Sequence, residues 1–205
     1  MKQAALNAGA VASLSIIIPT IGRLTLDRTL ESVLAAGAGP QDEVIVVGDG
    51  PQPTARAIAA RFAGRLKIIY FETPVFHHVG HPQRNAGMAV ASGSHVMSID
   101  DDDAYRPGAL QLVHRVAAAE PGRILIFRME SQTVRLPWKV LWNGQFHSLG
   151  NVGTPMFVVP NVERQLGVWG RRHAGDWDFL DSTLERWPGG SRAIVWREEI
   201  IADVY

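Results

Sequence analysis

The 205-residue sequence contains no cysteine, which excludes disulfides and thiolate-ligated zinc or iron–sulfur centres and leads us to expect a reducing, cytoplasmic location. It also lacks long apolar runs. The longest, such as residues 14–19, are strand-sized and well short of the ~20 residues that span a bilayer, so no integral membrane segment is expected. Excess charge of one sign is missing as well: twenty basic residues balance twenty acidic ones. No global field therefore draws the chain to nucleic acid, and any anionic ligand must be held by local groups. Residues 1–13 lack the compact apolar centre of a signal peptide and read as a frayed lead-in. With no repeat or linker and 46% hydrophobic content, residues 1–205 are expected to form one domain around one core.

What is present is an alternation of strand and helix patterns. Residues 14–19 are a β-branched run stopped by proline, the pattern of a strand buried on both faces in a parallel sheet. Residues 25–37 place Leu26, Leu30, Val33 and Leu34 on one helical face, with Gly37 as a stop. The alternation continues with strands at 43–47, 66–71 and 96–99 and helices at 53–62, 81–91 and 107–119, the last begun by Pro107. Such a series builds an α/β, mostly parallel central sheet flanked by helices, whose ligands sit at the carboxyl ends of the strands. After Gly122 a smaller mixed region is expected, with strands at 123–130, 133–140, 156–159 and 193–196 and a helix at 176–185.

The polar loops after the buried strands carry the candidate chemistry. Asp100, Asp101, Asp102 and Asp103 directly follow the strand 96–99. Adjacent carboxylates repel, so they must be relieved by a cation or by solvent, and the plain alternative is a solvated turn capping the helix at Pro107. Hard oxygen ligands suit Mg²⁺ or Mn²⁺, which bridge to substrate phosphates and stabilise a departing diphosphate. Three further loops stand at neighbouring strand ends: Pro19, Thr20 and Arg23; Asp49 between two glycines; and Arg84 with Asn85. Each has a bland reading, with Thr20 as a helix cap, Asp49 as a turn residue and Arg84 as a surface cation.

In order along residues 14–110, Ile-Pro-Thr, Gly-Asp-Gly, Arg-Asn-Ala-Gly, Ala-Ser-Gly, the acidic run and Pro107 resemble the family 2 glycosyltransferases of the GT-A fold. The resemblance implies a metal-dependent, inverting transfer of sugar from a nucleotide diphosphate donor, UDP-linked by the presence of Asp49, to a hydroxyl acceptor. Thr20 would line the nucleotide pocket with Pro19 and Arg23, and Asp49 would accept a hydrogen bond from the base. Arg84 would contact base or phosphates, Asp100 or Asp101 would face the ribose, and Asp102 would ligate the metal. Residues 14–110 would be the nucleotide-sugar half and 123–205 the acceptor half.

The second half matches through His173-Ala-Gly-Asp-Trp-Asp178, where Asp176 corresponds to the base and Gly175 replaces the usual Glu. A carboxylate there takes the proton of the attacking hydroxyl; Asp178 is the rival, and a helix cap is the bland role for Asp176. The tail 198–205 lacks the His that often completes the metal site, for which His173 or His147 is a substitute. Trp177, beside the proposed base, is the expected acceptor platform, with a wider aromatic surface at 138–153. His77, His78 and His81 read as a pocket wall or solvated loop. At this length a second subunit is a candidate to complete the acceptor site. The competing functions are sugar nucleotidyl transfer, disfavoured by the sparse 21–23 loop, and a nucleotide-sugar-binding module without catalysis.

Overall fold

The computed structural model describes residues 12–133, 140–141 and 148–205. Within them the strands are β1 (Leu14–Thr20), β2 (Glu43–Asp49), β3 (Ile68–Thr73), β4 (His95–Ser98), β5 (Ala104–Tyr105), β6 (Ile124–Ser131), β7 (Val140–Leu141), β8 (Phe157–Pro160) and β9 (Ile194–Val204). The helices are α1 (Leu26–Ala35), α2 (Pro53–Phe62), α3 (His81–Val90), α4 (Ala109–Ala119) and α5 (Gly175–Arg186). Of the aromatic surface expected at 138–153, Trp138, Trp142, Phe146 and His147 lie outside the described residues, as does most of the lead-in.

The β-branched runs do what their pattern demands. Side chains alternate across β1 and β2, so Ile16, Ile18, Val44 and Val46 join the main core with Leu26, Leu30, Val33, Ile58 and Phe62. Ile17, Ile45 and Val47 face the other way into a smaller cluster covered by Ala86 and Met88 of α3. A Cβ on Gly87 would stand 2.6 Å from Ile17 Cγ2, so glycine is what lets α3 lie this close to β1. Helices thus cover both faces, the arrangement that buries a parallel sheet.

The strand order is β3-β2-β1-β4-β8-β6-β9-β5, with β7 on β6. The long ladders are parallel: β3 on β2, β2 on β1, β1 on β4 and β6 on β9. The antiparallel pairings are short, and β8 links the halves by pairing with β4 through His95 and Val96 and with β6 through Leu125 and Ile126. The expected α/β architecture is present, and the carboxyl ends of β1, β2, β3 and β4 open on one edge.

Several expected boundaries move. Pro107 lies ahead of α4 rather than in its first turn, because Gly108, at φ +77, intervenes as the N-cap. The late strand expected at 193–196 continues to Val204, since its far end pairs with both β6 and β5. Of the strand expected at 133–140, residues 134–139 lie outside the described residues.

Candidate functional site

The four aspartates follow β4 in a turn closed by Asp103 N–H donating to Asp100 O at 3.2 Å. Each carboxylate meets a different environment. Asp100 pairs with Arg84 and keeps 41% of its side chain exposed. Asp101 is buried, accepting from Thr20 Oγ1 at 2.6 Å and from Arg23 at 3.2 Å. Burial pushes its pKa above the ordinary carboxylate value, while Thr20 and Arg23 pull it back. Asp102, a third exposed, also pairs with Arg23, and its backbone carbonyl accepts from Arg28. Asp103 is buried; burial, then the charge of Asp100, pushes it up to about 8 against the opposing Tyr205 N–H donor at 3.0 Å. Arginines offset part of the repulsion, and with Asp101 and Asp103 buried the run is not simply a solvated turn.

The bland readings of the neighbouring loops fail too. Thr20 caps no helix: its hydroxyl joins β1 to Asp101 and accepts Gly22 N–H at 3.0 Å. Arg84 is no surface cation, being almost wholly buried. Its Nε donates to Ser98 Oγ at 3.2 Å and its Nη1 to Val79 O at 2.9 Å, and its guanidinium lies 4.7 Å from the ring centre of Trp169. Asp49 does more than turn the chain, since its carboxylate accepts Phe76 N–H at 2.6 Å, His77 N–H at 2.9 Å and Gln83 Nε2 at 2.9 Å. Asn85 exchanges hydrogen bonds with the Trp169 backbone at 3.0 Å, tying α3 to the second half.

Asp176 sits in the first turn of α5, beyond the N-cap Ala174, so capping is not its role. Its Oδ1 accepts Trp177 N–H at 2.7 Å. Burial raises its pKa, Trp177 N–H and the charge of Arg84 lower it, and the charge of Asp100 raises it. The proposed base therefore shares a field with the Arg84–Asp100 pair from which it is remote in sequence. Asp178, the rival, is paired with Arg172. His81 turns out buried rather than solvated. Its Nδ1 meets Gly170 O at 2.8 Å, which as an acceptor makes Nδ1 the protonated nitrogen, and burial lowers its pKa. A Cβ on Gly175 would lie 2.2 Å from the His81 ring, so imidazole fills the space where a side chain at 175 would begin.

Trp177 is half-buried and packs against the main core. Trp169 is buried and stacked on Phe179 at 4.9 Å, and it also carries Arg84. His173 is exposed, and among the described residues no three His, Cys, Asp or Glu side chains converge as a ready metal cage. The donor set on offer is Asp102, with Asp100 beside it. Both keep part of their surface exposed but are held by arginines, Asp102 by Arg23 and Asp100 by Arg84, so a hard divalent cation, completed by waters and phosphate oxygens, would share them with those partners.

The family described as Glycosyl transferase family 2 matches residues 15–157, well over half of the chain. The chain belongs to this family. Two curated relatives of this family 2 chain are validoxylamine A glucosyltransferases of Streptomyces hygroscopicus. That of subsp. limoneus is 35% identical over 115 residues, 55% of this chain and 24% of that protein. That of subsp. jinggangensis is 34% identical over 115 residues, 55% of this chain and 26% of that protein. The chain thus spans about a quarter of the length of these relatives. The fold matches S. aureus TarS 1-349, with a TM-score of 0.74 at 17% identity over 94% of this chain and 60% of that one. The same protein in complex with UDP-GlcNAc matches with a TM-score of 0.73 at 15% identity, over 94% and 58% of the two chains.

Proposed function

We propose that this family 2 chain transfers a sugar from a UDP-sugar to an acceptor hydroxyl with inversion, as one GT-A unit in which 14–110 holds the donor and 123–205 the acceptor. The observation that carries the reading is the gathering of Thr20, Asp49 and the acidic turn at the carboxyl ends of β1, β2 and β4, with Thr20 bound to Asp101 and Arg84 of α3 paired with Asp100. TarS, captured with UDP-GlcNAc on the same fold, supports a UDP-linked donor.

Asp176 takes the proton of the acceptor hydroxyl as its oxygen attacks the anomeric carbon; the bond from that carbon to the diphosphate breaks, and UDP leaves with the electron pair. The raised affinity of Asp176 for a proton suits a base, provided it is ionised when the acceptor arrives, and the charge of Arg84 favours that state. Asp102 is the side chain to hold Mn²⁺ or Mg²⁺, whose chemistry is to neutralise the departing diphosphate. Thr20, Pro19, Arg23 and Asp49 form the nucleotide end. Asp100 serves the ribose, because Asp101 is enclosed by Thr20 and Arg23. Trp177 flanks the acceptor beside the base.

Asp176→Asn tests the assignment: donor turnover should fall by about 100-fold or more while UDP affinity, followed calorimetrically, stays within about twofold. A variant that turns over donor like the wild type removes Asp176 from the role.

A further inference from the structure

Asp49 was expected to read the nucleobase, yet its carboxylate is already engaged by three donors of the chain itself. Oδ1 accepts from Phe76 N–H at 2.6 Å and Gln83 Nε2 at 2.9 Å, and Oδ2 from His77 N–H at 2.9 Å. An ionised carboxylate only accepts, so it fixes the Gln83 amide with its nitrogen toward Asp49. That nitrogen also donates to Thr73 Oγ1 at 2.8 Å. The opposite end of the amide, Oε1, is buried and has no hydrogen-bond partner among the described residues. Buried side-chain acceptors are nearly always satisfied, and an orphan beside a ligand site asks for a donor from the ligand.

The backbone against this amide is strained. Phe76 N–H and Gln83 Nε2 share one oxygen of Asp49, which places the loop after β3 directly beside Gln83. In that loop His77 has φ +53° and Val79 φ +40°, and a β-branched residue in the left-handed region is a true outlier. The loop is held there from both sides, by Asp49 on the Phe76 and His77 amides and by Arg84 on the Val79 carbonyl at 2.9 Å. Strain over-determined in this way clusters where a ligand clamp must yield.

We propose that Gln83 is the base-reading residue of the donor site: its Oε1 accepts the imide N–H of uracil, and Asp49 is a positioning residue that orients the amide and pins the loop. This rests on the UDP-sugar reading above. A neutral amide carbonyl suits an imide N–H, whereas cytosine presents a lone pair at the same ring position and would leave Oε1 unpaired.

The test is calorimetric titration of the whole chain, with Mn²⁺, by UDP and by 3-methyl-UDP, in which a methyl group replaces the imide hydrogen. Wild type should bind UDP at least about tenfold more tightly than its methylated analogue. Gln83→Met should weaken UDP and bring the two ligands within about twofold of each other. Gln83→Leu serves as a second variant, and an unfolding midpoint near that of wild type establishes that each is folded. Equal binding of the two ligands by wild type overturns the proposal. So does a Gln83→Met protein that keeps the wild-type ratio, the result expected if Asp49 meets the imide directly or a buried water alone serves Oε1. Absence of UDP binding by wild type would instead remove the donor reading and this proposal with it, whereas UDP binding with an unchanged ratio removes this proposal alone.

Discussion

Asp100, Asp101, Asp102 and Asp103 are identical in chemistry and unlike in circumstance, because a turn points successive side chains at different neighbours. Only Asp100 and Asp102 keep substantial exposure. Gly175 is a second case in which the neighbour decides. His81 is held by the Gly170 carbonyl and lies 5.8 Å from the Trp169 ring, so it cannot swing away from a new methyl group. Gly175→Ala should therefore cost about 1–3 kcal/mol in urea unfolding. Adding His81→Ala should recover part of that loss, and a neutral single variant would sink the explanation. The placement of Thr20, Asp49 and the acidic run was legible because they stand at the ends of recognisable strands. Burial of Arg84, its seat on Trp169 and the orphaned Gln83 carbonyl were not legible, since each depends on segments far apart in sequence. The substitution of Gly for Glu at 175 becomes intelligible only once His81 is seen beside it.

Among the elements, the parallel strands were readable from β-branched runs, while β5 was not. Two residues carry no periodicity, and β5 exists because Ala104 and Tyr105 meet Asp203 and Ala202 of β9. The same pairing carries β9 past its expected end. Inside the sheet, between β1 and β8, His95 opens β4 with Nε2 buried and without a hydrogen-bond partner among the described residues. Burial, then the charge of His114, lowers its pKa from the ordinary 6.5 to about 4. Between those values the unfolded chain binds more protons, so stability should fall as pH drops from about 6.5 to about 4. His114 is shifted upward, chiefly by its hydrogen bond to Asp42, and its contribution is instead full below the ordinary value and lost as pH rises through the raised one. We expect His95→Gln to flatten the acid limb of the unfolding midpoint measured from pH 7 down to about pH 4.5. An acid limb as steep as that of wild type would rule this out.

For the molecule as a whole, ligand linkage offers the broadest check on the proposed function. A ligand that binds only the native state raises its melting point, so UDP with Mn²⁺ should lift the midpoint by several degrees more than UDP alone. Asp102→Ala should erase that metal-dependent increment and leave the UDP increment in place. A metal increment that survives in the variant would move the ligand role elsewhere. Among the described residues no helix is long and apolar enough to cross a membrane.

Residues 14–110 and 123–205 are stitched together at several points: β8 adds to β4 by two residue pairs and to β6 by two more, β5 pairs with β9, and Asn85 is bound to the Trp169 backbone. Parallel crossovers lock the order of β1 to β4, whereas β8 is laid against the finished edge of β4. A change in β9 or around Trp169 therefore reaches the acidic turn, through Tyr205 N–H on Asp103 and through Arg84, which lies against Trp169 and pairs with Asp100.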